Sequence, residues 1–322
     1  MYPSKQAPRW ALLAVLSLTL PLSLLTEAAA PQQQTQAPGY YRLKVGEIEV
    51  TSLNDGTFLM PVGQFLKGIT PSALNTALSR SFLTDPVETS VNAFLINTGA
   101  HLVLIDTGSG SFYGPLFGHL VENLKAAGYT PEQVDEVYIT HLHADHVGGL
   151  VANGQAVFTH AIVRAAQAEG DYWLDANQAK EAAAESKAFF SIAVSALSPY
   201  VAAGRYKPFQ GDSELAPGIR AVNTAGHTPG HTVYLVSSKG ESLIIWGDIM
   251  HVAAVQLPDP SITINVDVDS SAARRQRLRI FSEVTDKHTL VGGAHLPFPG
   301  LGHLRANGTG YEFAPTNYTA LQ

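Results

Sequence analysis

The chain contains the segment Thr140-His141-Leu142-His143-Ala144-Asp145-His146-Val147-Gly148-Gly149. It places three histidines and one aspartate within six residues. The preceding residues 134–139 are rich in branched and aromatic side chains, which predicts a buried strand. The two glycines predict a turn that opens into a helix. The cluster is therefore predicted on a loop at the carboxyl end of a strand.

The residue types in this loop point to metal binding. Imidazole and carboxylate are ligands for a borderline cation such as zinc, and a catalytic metal keeps one position open. His141 and His143 are two residues apart and can face one ion, whereas Asp145 and His146 suit a second ion. A single histidine is usually a core or surface residue, but three histidines and an aspartate in one short loop favour a metal site.

Further candidate ligands follow downstream, each just after a predicted strand and beside a glycine. They are His227, Asp248 and His295. Each is a weak signal alone, because loops at strand ends often carry polar residues. Together with the first loop they supply ligands for two cations, and one carboxylate is left to bridge them.

Composition narrows the class of protein. The chain has 322 residues, of which 45% are hydrophobic and 15% charged, so it can form a sizeable core. It contains no cysteine, which excludes disulfides, thiolate metal sites and cysteine nucleophiles. With a net charge of -7 and no basic stripe, nucleic-acid binding is not expected. The arginine-rich residues 274–279 are interpreted as a solvated helix face.

The N-terminus has the pattern of a secretory signal peptide. Lys5 and Arg9 precede an apolar run from Trp10 to Leu25, and small residues follow at 28–30. The alternative is a membrane anchor, but this run is shorter than the roughly 20 residues that a spanning helix needs. We expect a signal peptide over residues 1–30, a flexible tail over 31–39, and export to the periplasm or beyond with no membrane attachment after cleavage.

Residues 40–322 are predicted to form one domain in two similar halves. Each half has a run of strands, then a helix, then more strands, and residues 165–205 have the composition of a helical insert. Strand runs mixed with exposed helices predict two sheets packed face to face, with helices on the outside. The fold class is therefore α/β.

The order His-x-His-x-Asp-His, then His, Asp and His resembles the metallo-β-lactamase superfamily, from about Val45 to His303. The resemblance implies an αββα four-layer sandwich with a dinuclear metal site at one edge. It implies that one metal is bound by His141, His143 and His227, that the other is bound by Asp145, His146 and His295, and that Asp248 bridges them. The motif is specific for the fold and says little about the substrate.

The same resemblance assigns further roles. Asp145 and Asp248 would be the catalytic residues around a metal-bridging hydroxide. Asp106, in Leu104-Ile105-Asp106-Thr107-Gly108, would orient a ligand histidine, and His231 is expected beside the metals rather than as a ligand. Two divalent ions are implied, with zinc as the default, although His and Asp sites also accept Mn, Co or Fe.

Within the superfamily, the chain resembles methyl-parathion-hydrolase-like enzymes, which are close to quorum-quenching and aryl lactonases. Asp248 stands where common dinuclear β-lactamases have Cys, and His141 is not replaced by Glu as in flavodiiron proteins. The similarity lies in residues 91–99, 226–231, 252–256 and 294–300. A homodimer is also implied by the resemblance.

The resemblance implies a substrate pocket lined by Tyr113, Trp173, Phe190, Leu66, His251, Ile264 and Val266. Core packing is the alternative role for the aromatic residues, and a surface position is the alternative for His251. A histidine there would hydrogen-bond a carbonyl oxygen and crowd a tetrahedral dialkyl phosphate. We therefore expect a small-molecule hydrolase of lactones and aryl esters, with organophosphate triesters as secondary substrates.

Two alternatives stay open at this point. The first is a dedicated organophosphorus hydrolase, which would share the metal ligands and the aromatic pocket. The second is a metal-binding or redox protein without hydrolytic activity. Ligands at all seven positions argue against a decayed site, and the absence of a flavin domain argues against redox chemistry.

Overall fold

The computed structural model describes Met1, Pro3, Ala30 and residues 32–321. Apart from those three positions, the predicted signal peptide over residues 1–30 lies outside the described residues. Residues 32–38, which belong to the predicted tail, are exposed and contain no helix or strand. Within the described part of the chain, no helix is both long enough and apolar enough to cross a membrane.

The described residues contain strands β1 to β17 and helices α1 to α9. The strands are β1 Tyr40–Val45, β2 Ile48–Met60, β3 Leu66–Lys67, β4 Val87–Asn97, β5 Leu102–Ile105, β6 Glu136–Tyr138, β7 Val151–Ala152, β8 Gln155–Ala156, β9 Ile162–Arg164, β10 Ser213–Ala216, β11 Ile219–Asn223, β12 Thr232–Ser238, β13 Glu241–Ile245, β14 Thr263–Ile264, β15 Leu290–Gly292, β16 Leu301–Asn307 and β17 Gly310–Pro315. The helices are α1 Val62–Phe65, α2 Pro71–Arg80, α3 Leu120–Ala126, α4 Ala144–Val147, α5 Gln167–Trp173, α6 Ala176–Glu181, α7 Lys187–Ala202, α8 Ala253–Gln256 and α9 Ser270–Asp286.

Two large sheets dominate the structure. The first has six strands in the order β1-β2-β4-β5-β6-β9, and the second has seven in the order β10-β11-β12-β13-β15-β16-β17. Most neighbours are antiparallel, but β5, β6 and β9 are parallel to one another, as are β13 and β15. The parallel pairs bring the carboxyl ends of several strands to the same edge of each sheet.

The sheets pack face to face through a shared apolar core. Val50 and Ile96 of the first sheet lie in the same buried cluster as Val236 and Leu243 of the second. The strand β4 is buried on both faces over most of its length, and its apolar run, residues 93–96, lies in the middle of the core. Burial of such side chains contributes roughly 25 cal/mol for each Å² of apolar surface removed from water.

Helices cover the outer faces of both sheets. On the first sheet, Leu124 of α3 and Leu197 of α7 pack into a cluster with Leu95 and Leu104. On the second sheet, Ile280 and Phe281 of α9 join a different buried cluster. The layers are therefore helix, sheet, sheet and helix, and the predicted αββα fold class is confirmed. Helices α5, α6 and α7 occupy the predicted insert, residues 165–205.

The helix α9 differs from its sequence interpretation at one position. Asp269 caps its first turn by accepting a hydrogen bond from Ala272 N. Arg277, however, is completely buried instead of lying on a solvated face. Its guanidinium donates to the carbonyl oxygens of Ile249, Pro260 and Ile262. A buried guanidinium is tolerated because its N–H groups find these acceptors.

Candidate metal centre and its cavity

The loops that follow parallel strands carry the candidate ligands to one edge of the sandwich. His141 to His146 follow β6, Asp248 follows β13, and His295 follows β15. His227 lies in the loop between the antiparallel strands β11 and β12. The backbone at Gly247 has a positive φ of 52°, and a Cβ there would lie 2.9 Å from His231 Nε2. Only glycine fits beside Asp248 at this point.

The candidate ligands meet in two groups. The first is His141, His143, His227 and Asp248, and the second is Asp145, His146 and His295. Within each group the ligand atoms lie within 4.8 Å of one another. Asp145 is partly accessible and the other six are buried. The grouping matches the division between two metals that the sequence resemblance implies.

Asp248 lies between the two groups. Its Oδ2 is 3.5 Å from His141 Nε2 and 3.3 Å from His227 Nε2. Its Oδ1 is 3.1 Å from His146 Nε2 and 3.2 Å from His295 Nε2. Because each carboxylate oxygen faces a different pair of imidazoles, Asp248 is placed to contact two cations at once.

Hydrogen-bond acceptors behind the centre determine which ring nitrogen carries the proton in three of the histidines. His146 Nδ1 donates to Asp106 Oδ2 at 2.8 Å, and His295 Nδ1 donates to the Ser90 carbonyl at 3.0 Å. His227 Nδ1 donates to Asp267 Oδ1 at 2.8 Å. Because these partners are acceptors only, each Nε2 turns a lone pair towards the centre.

The centre is consequently crowded with acceptors. His141 Nε2, His146 Nε2 and Asp248 Oδ1 are buried without any hydrogen-bond partner. Lone pairs that face one another this closely need positive charge between them, supplied by protons or by cations. The donor set of imidazoles and carboxylates fits two divalent metal ions of the zinc type.

Asp106 holds the first loop by three contacts. Its Oδ1 accepts from Thr140 N, and its Oδ2 accepts from Thr140 Oγ1 and His146 Nδ1, each at 2.8 Å. Its backbone φ is 60°, a conformation that non-glycine residues rarely adopt. Asp106 therefore contacts the candidate ligand His146 on the side of the ring that faces away from the other ligands.

His231 acts on the backbone of the bridging carboxylate. Its Nε2 accepts from Asp248 N at 3.0 Å, while its Nδ1 donates to Thr224 Oγ1 at 2.8 Å. Burial, with the nearby charge of His227, lowers the pKa of His231 to about 3. It therefore stays neutral and remains an acceptor, which is consistent with its predicted place beside the metals.

A cavity of about 450 Å³ opens onto the metal centre. Its polar end is formed by His143, Asp145, Asp248, His251 and His295. Its remaining wall is apolar or aromatic and is formed by Phe58, Met60, Pro61, Phe65, Tyr113, Phe117, Phe189, Ile264 and Val266. None of the described residues that line it is lysine or arginine.

Four of the predicted pocket residues line this cavity, namely Tyr113, His251, Ile264 and Val266. His251 is buried, and its Nε2 lies 2.9 Å from Asp248 Oδ2. It therefore stands at the metal end of the cavity and not at the protein surface. Tyr113 is 45% exposed and its ring meets Phe117 edge-on at 5.9 Å, so it lies at the mouth.

Three predicted pocket residues lie behind the wall instead. Phe190 is buried in the helix core, and its neighbour Phe189 faces the cavity, since successive helical residues differ in direction by about 100°. Trp173 is also buried and contacts the His143 ring edge-on at 5.2 Å. Leu66 pairs with Ile264 between β3 and β14 and packs in a separate core, while Phe65 faces the cavity.

Asp267 and Glu169 were missed by sequence reasoning. Asp267 is the partner of His227 Nδ1, and Glu169 accepts hydrogen bonds from two ligand loops. A single aspartate or glutamate far from the ligand motif carries no sequence signal of such contacts, because the fold alone brings it there. The Ser90 carbonyl beside His295 could not be identified from residue type at all.

Comparisons with known proteins agree with this geometry. Residues 86–295 match the family profile of the metallo-beta-lactamase superfamily. An N-acyl homoserine lactonase from Bacillus sp is 28% identical over 201 residues, covering 56% of this chain and 70% of that protein. The matched residues 86–295 include every candidate ligand.

Two solved structures are similar along most of their length. AbOPH, a hydrolase in the beta-lactamase superfamily, is 38% identical, with a TM-score of 0.85 and coverage of 89% of this chain and 100% of its own. AidC, a dizinc quorum-quenching lactonase in complex with a product, is 27% identical, with a TM-score of 0.79 and coverage of 88% and 99%.

Proposed function

Because the chain belongs to the metallo-beta-lactamase superfamily and is a metal-dependent hydrolase, we propose that it hydrolyses lactones and aryl esters with two zinc ions. The observation that carries the proposal is the apolar cavity that ends on Asp248 and His251. The similarity to N-acyl homoserine lactonases and to a dizinc lactonase supports the substrate class.

The metals would be held by the two groups of ligands around Asp248. When bound, they supply the Lewis acidity that activates water at neutral pH and polarises a carbonyl oxygen. The protein keeps the ligand lone pairs aimed inward through Asp106, Asp267 and the Ser90 carbonyl. It also keeps most of the centre away from bulk water, since only Asp145 among the seven ligands is partly accessible.

The cavity wall selects a neutral substrate with an apolar substituent. No lysine or arginine lines the described cavity, so its wall offers no permanently charged cationic side chain to a carboxylate or phosphate anion. Phe58, Phe65 and Phe189 offer aromatic surface for an acyl chain or an aryl group. A volume of about 450 Å³ is in the range of pockets for small ligands.

His251 favours a planar carbonyl over a tetrahedral phosphorus centre. Its ring stacks on His295 with a centroid distance of 5.3 Å, and its Nε2 lies 2.9 Å from Asp248 Oδ2. The ring therefore occupies space beside the reacting centre that two alkoxy groups of a phosphotriester would need. A flat ester or lactone would pass beside the ring.

Organophosphate triesters are proposed as secondary substrates. The same aromatic wall would hold an aryl leaving group, and a phenolate needs little help from a proton donor. A dedicated organophosphorus hydrolase is the competing proposal, and it predicts the opposite order of substrates.

The test is the ratio of kcat/KM for dihydrocoumarin to that for methyl paraoxon, measured on one zinc-loaded preparation. We expect a ratio above one. The His251→Leu variant should move the ratio towards the phosphotriester, because it replaces the ring with a smaller apolar side chain and opens space beside the reacting centre. A wild-type ratio below one would establish the competing proposal, and an unchanged ratio in His251→Leu would remove His251 from the argument.

A further inference from the structure

We propose that Glu169 is a positioning residue that locks together the two loops carrying the ligands of the first metal. Glu169 lies in α5 and is completely buried. Its Oε2 accepts from Leu142 N at 2.9 Å, and its Oε1 accepts from Gly230 N at 2.6 Å. One carboxylate thus joins the loop of His141 and His143 to the loop of His227.

The two anchor points are close to the ligands themselves. Leu142 stands between His141 and His143, so its backbone amide fixes the peptide units that carry both imidazoles. Gly230 ends the turn that begins at Gly226 and presents His227. A shift of the Glu169 carboxylate would therefore move all three histidines of one group, while the group of Asp145, His146 and His295 has no contact with it.

The loop of His227 also packs closely against α5. A Cβ at Gly230 would lie 2.7 Å from Glu169 N and 3.1 Å from Ala166 Cβ, so the loop rests directly on the start of the helix. At the other end of α5, the Trp173 ring lies against His143. The insert helix thus contacts the first metal group at two backbone amides and one ligand ring.

The charge of Glu169 supports a role linked to the metal. Among the described residues, no lysine or arginine forms an ion pair with it. Burial raises the pKa of its carboxyl, whereas the amides of Leu142 and Gly230 and the charge of His227 oppose this rise. Positive charge bound by His141, His143 and His227 would offset the cost of burying the carboxylate. The hydrogen bonds of Glu169 to the two loops and the binding of the metal should therefore stabilise each other.

Asp55 provides a matched comparison within the same protein. It is also a completely buried carboxylate, and it accepts from Ser109 N at 2.8 Å and Leu120 N at 3.2 Å. Those amides belong to the segment that carries Tyr113 at the cavity mouth, and not to the loops of His141, His143 and His227. The variant Asp55→Asn should therefore lose folding stability as Glu169→Gln does, without the same effect on metal binding.

The experiment measures the two zinc dissociation constants of wild type, Glu169→Gln and Asp55→Asn by chelator competition on folded protein. In Glu169→Gln an amide N–H would face a backbone N–H. We expect a loss of about 10- to 100-fold in affinity for one zinc ion, with the other changed by less than about threefold. Absorption of the Co²⁺-loaded protein should change for one of the two equivalents only. Excess zinc should restore kcat.

Other results would overturn the inference. Unchanged affinities in Glu169→Gln, or equal losses at both sites and in Asp55→Asn, would show a purely structural role. If Glu169→Gln does not fold, Glu169→Asp is used, whose shorter side chain reaches one loop but not both and should weaken the same single site. The inference rests on the proposed dinuclear centre, and the two fail differently. A wild type that binds fewer than two ions refutes the centre, whereas a normal wild type with an unaffected variant refutes only the role of Glu169.

Discussion

The metal loops and the cavity wall meet at one edge of the sandwich, but they are encoded differently in the chain. Four of the seven candidate ligands come from the single segment His141 to His146, and the other three follow strand ends. The wall is assembled from β2, the segment around Tyr113, α7 and the segment around Ile264. The chemistry is thus set by a local motif, whereas the choice of substrate depends on packing between distant segments.

This difference has a physical origin. A ligand must place one lone pair within a few ångströms of an ion, so few residue types at few spacings are possible. An apolar wall needs only volume and surface, which many residues can supply. The metal centre should therefore respond sharply to single substitutions, while the wall should respond in a graded way.

The largest effect is expected at the bridging carboxylate. Asp248→Ala removes the group that faces imidazoles of both metal groups, so we expect kcat/KM to fall by about 10³-fold or more, equivalent to about 4 kcal/mol. Metal analysis should find fewer than two ions per chain. Asp286→Ala, at an exposed position on α9, is the control and should retain both ions. Activity of Asp248→Ala within tenfold of wild type would contradict the bridging role.

A smaller effect is expected at Asp267, which is hydrogen-bonded to the candidate ligand His227 but is not itself a candidate ligand. Asp267→Asn keeps the volume but turns a charged acceptor into an amide, so His227 Nδ1 loses its charged partner. We expect zinc affinity of the first group to fall by about 10- to 100-fold, measured by chelator competition. The substitution Asp212→Asn on the surface should change nothing. Full affinity in Asp267→Asn would show that His227 does not need this contact.

Two neighbouring phenylalanines on α7 have different positions, one in the cavity wall and the other in the core. Phe189 lines the cavity and Phe190 is buried among core residues. We expect Phe189→Ala to raise KM about tenfold with little change in Tm. Phe190→Ala should cost about 3–5 kcal/mol of unfolding free energy, because it leaves a cavity in the core. Denaturant unfolding and steady-state kinetics on both variants test this assignment, and reversed effects would refute it.

The metal-loaded enzyme is expected to respond least to pH, because the effect of pH on the ligand histidines falls on the metal-free protein. Burial opposes the charge of His227, but hydrogen bonds to Asp248 and Asp267 raise its pKa to about 9. Likewise, burial opposes the charge of His295, while the charge of Asp248 and hydrogen bonds to Asp145 and Asp248 raise its pKa to about 10. These raised pKa values contribute stability that is fully present below about pH 6.5 and is lost as pH rises through 9 to 10.

The Tm of metal-free protein should therefore fall between pH 7 and 10. The Tm of the metal-loaded protein should change less with pH, since the metals replace those protons. Zinc affinity should rise over the same range, because fewer protons compete for the two histidines. A Tm of the metal-free protein that increases with pH would contradict the protonation of His227 and His295.

The contrast also explains what could be predicted from the sequence. The two packed sheets and the candidate ligands followed from residue types and spacing, since a ligand motif and strand-end glycines are local signals. The division of those ligands between two metals followed from the family resemblance. The roles of Phe189 and Phe190 could not be told apart from the sequence, because adjacent aromatic residues on a helix differ only in the direction of their side chains. Glu169 and Asp267 could not be found either, since nothing in their neighbouring sequence distinguishes them from other acidic residues until tertiary packing places them behind the ligands.

Titration of metal-free protein with zinc, monitored by dihydrocoumarin hydrolysis, shows whether both groups of ligands act as one dinuclear hydrolytic centre. We predict that activity rises until two equivalents per chain are bound and then stays constant. Full activity at one equivalent, or activity that does not depend on zinc, would contradict a dinuclear centre.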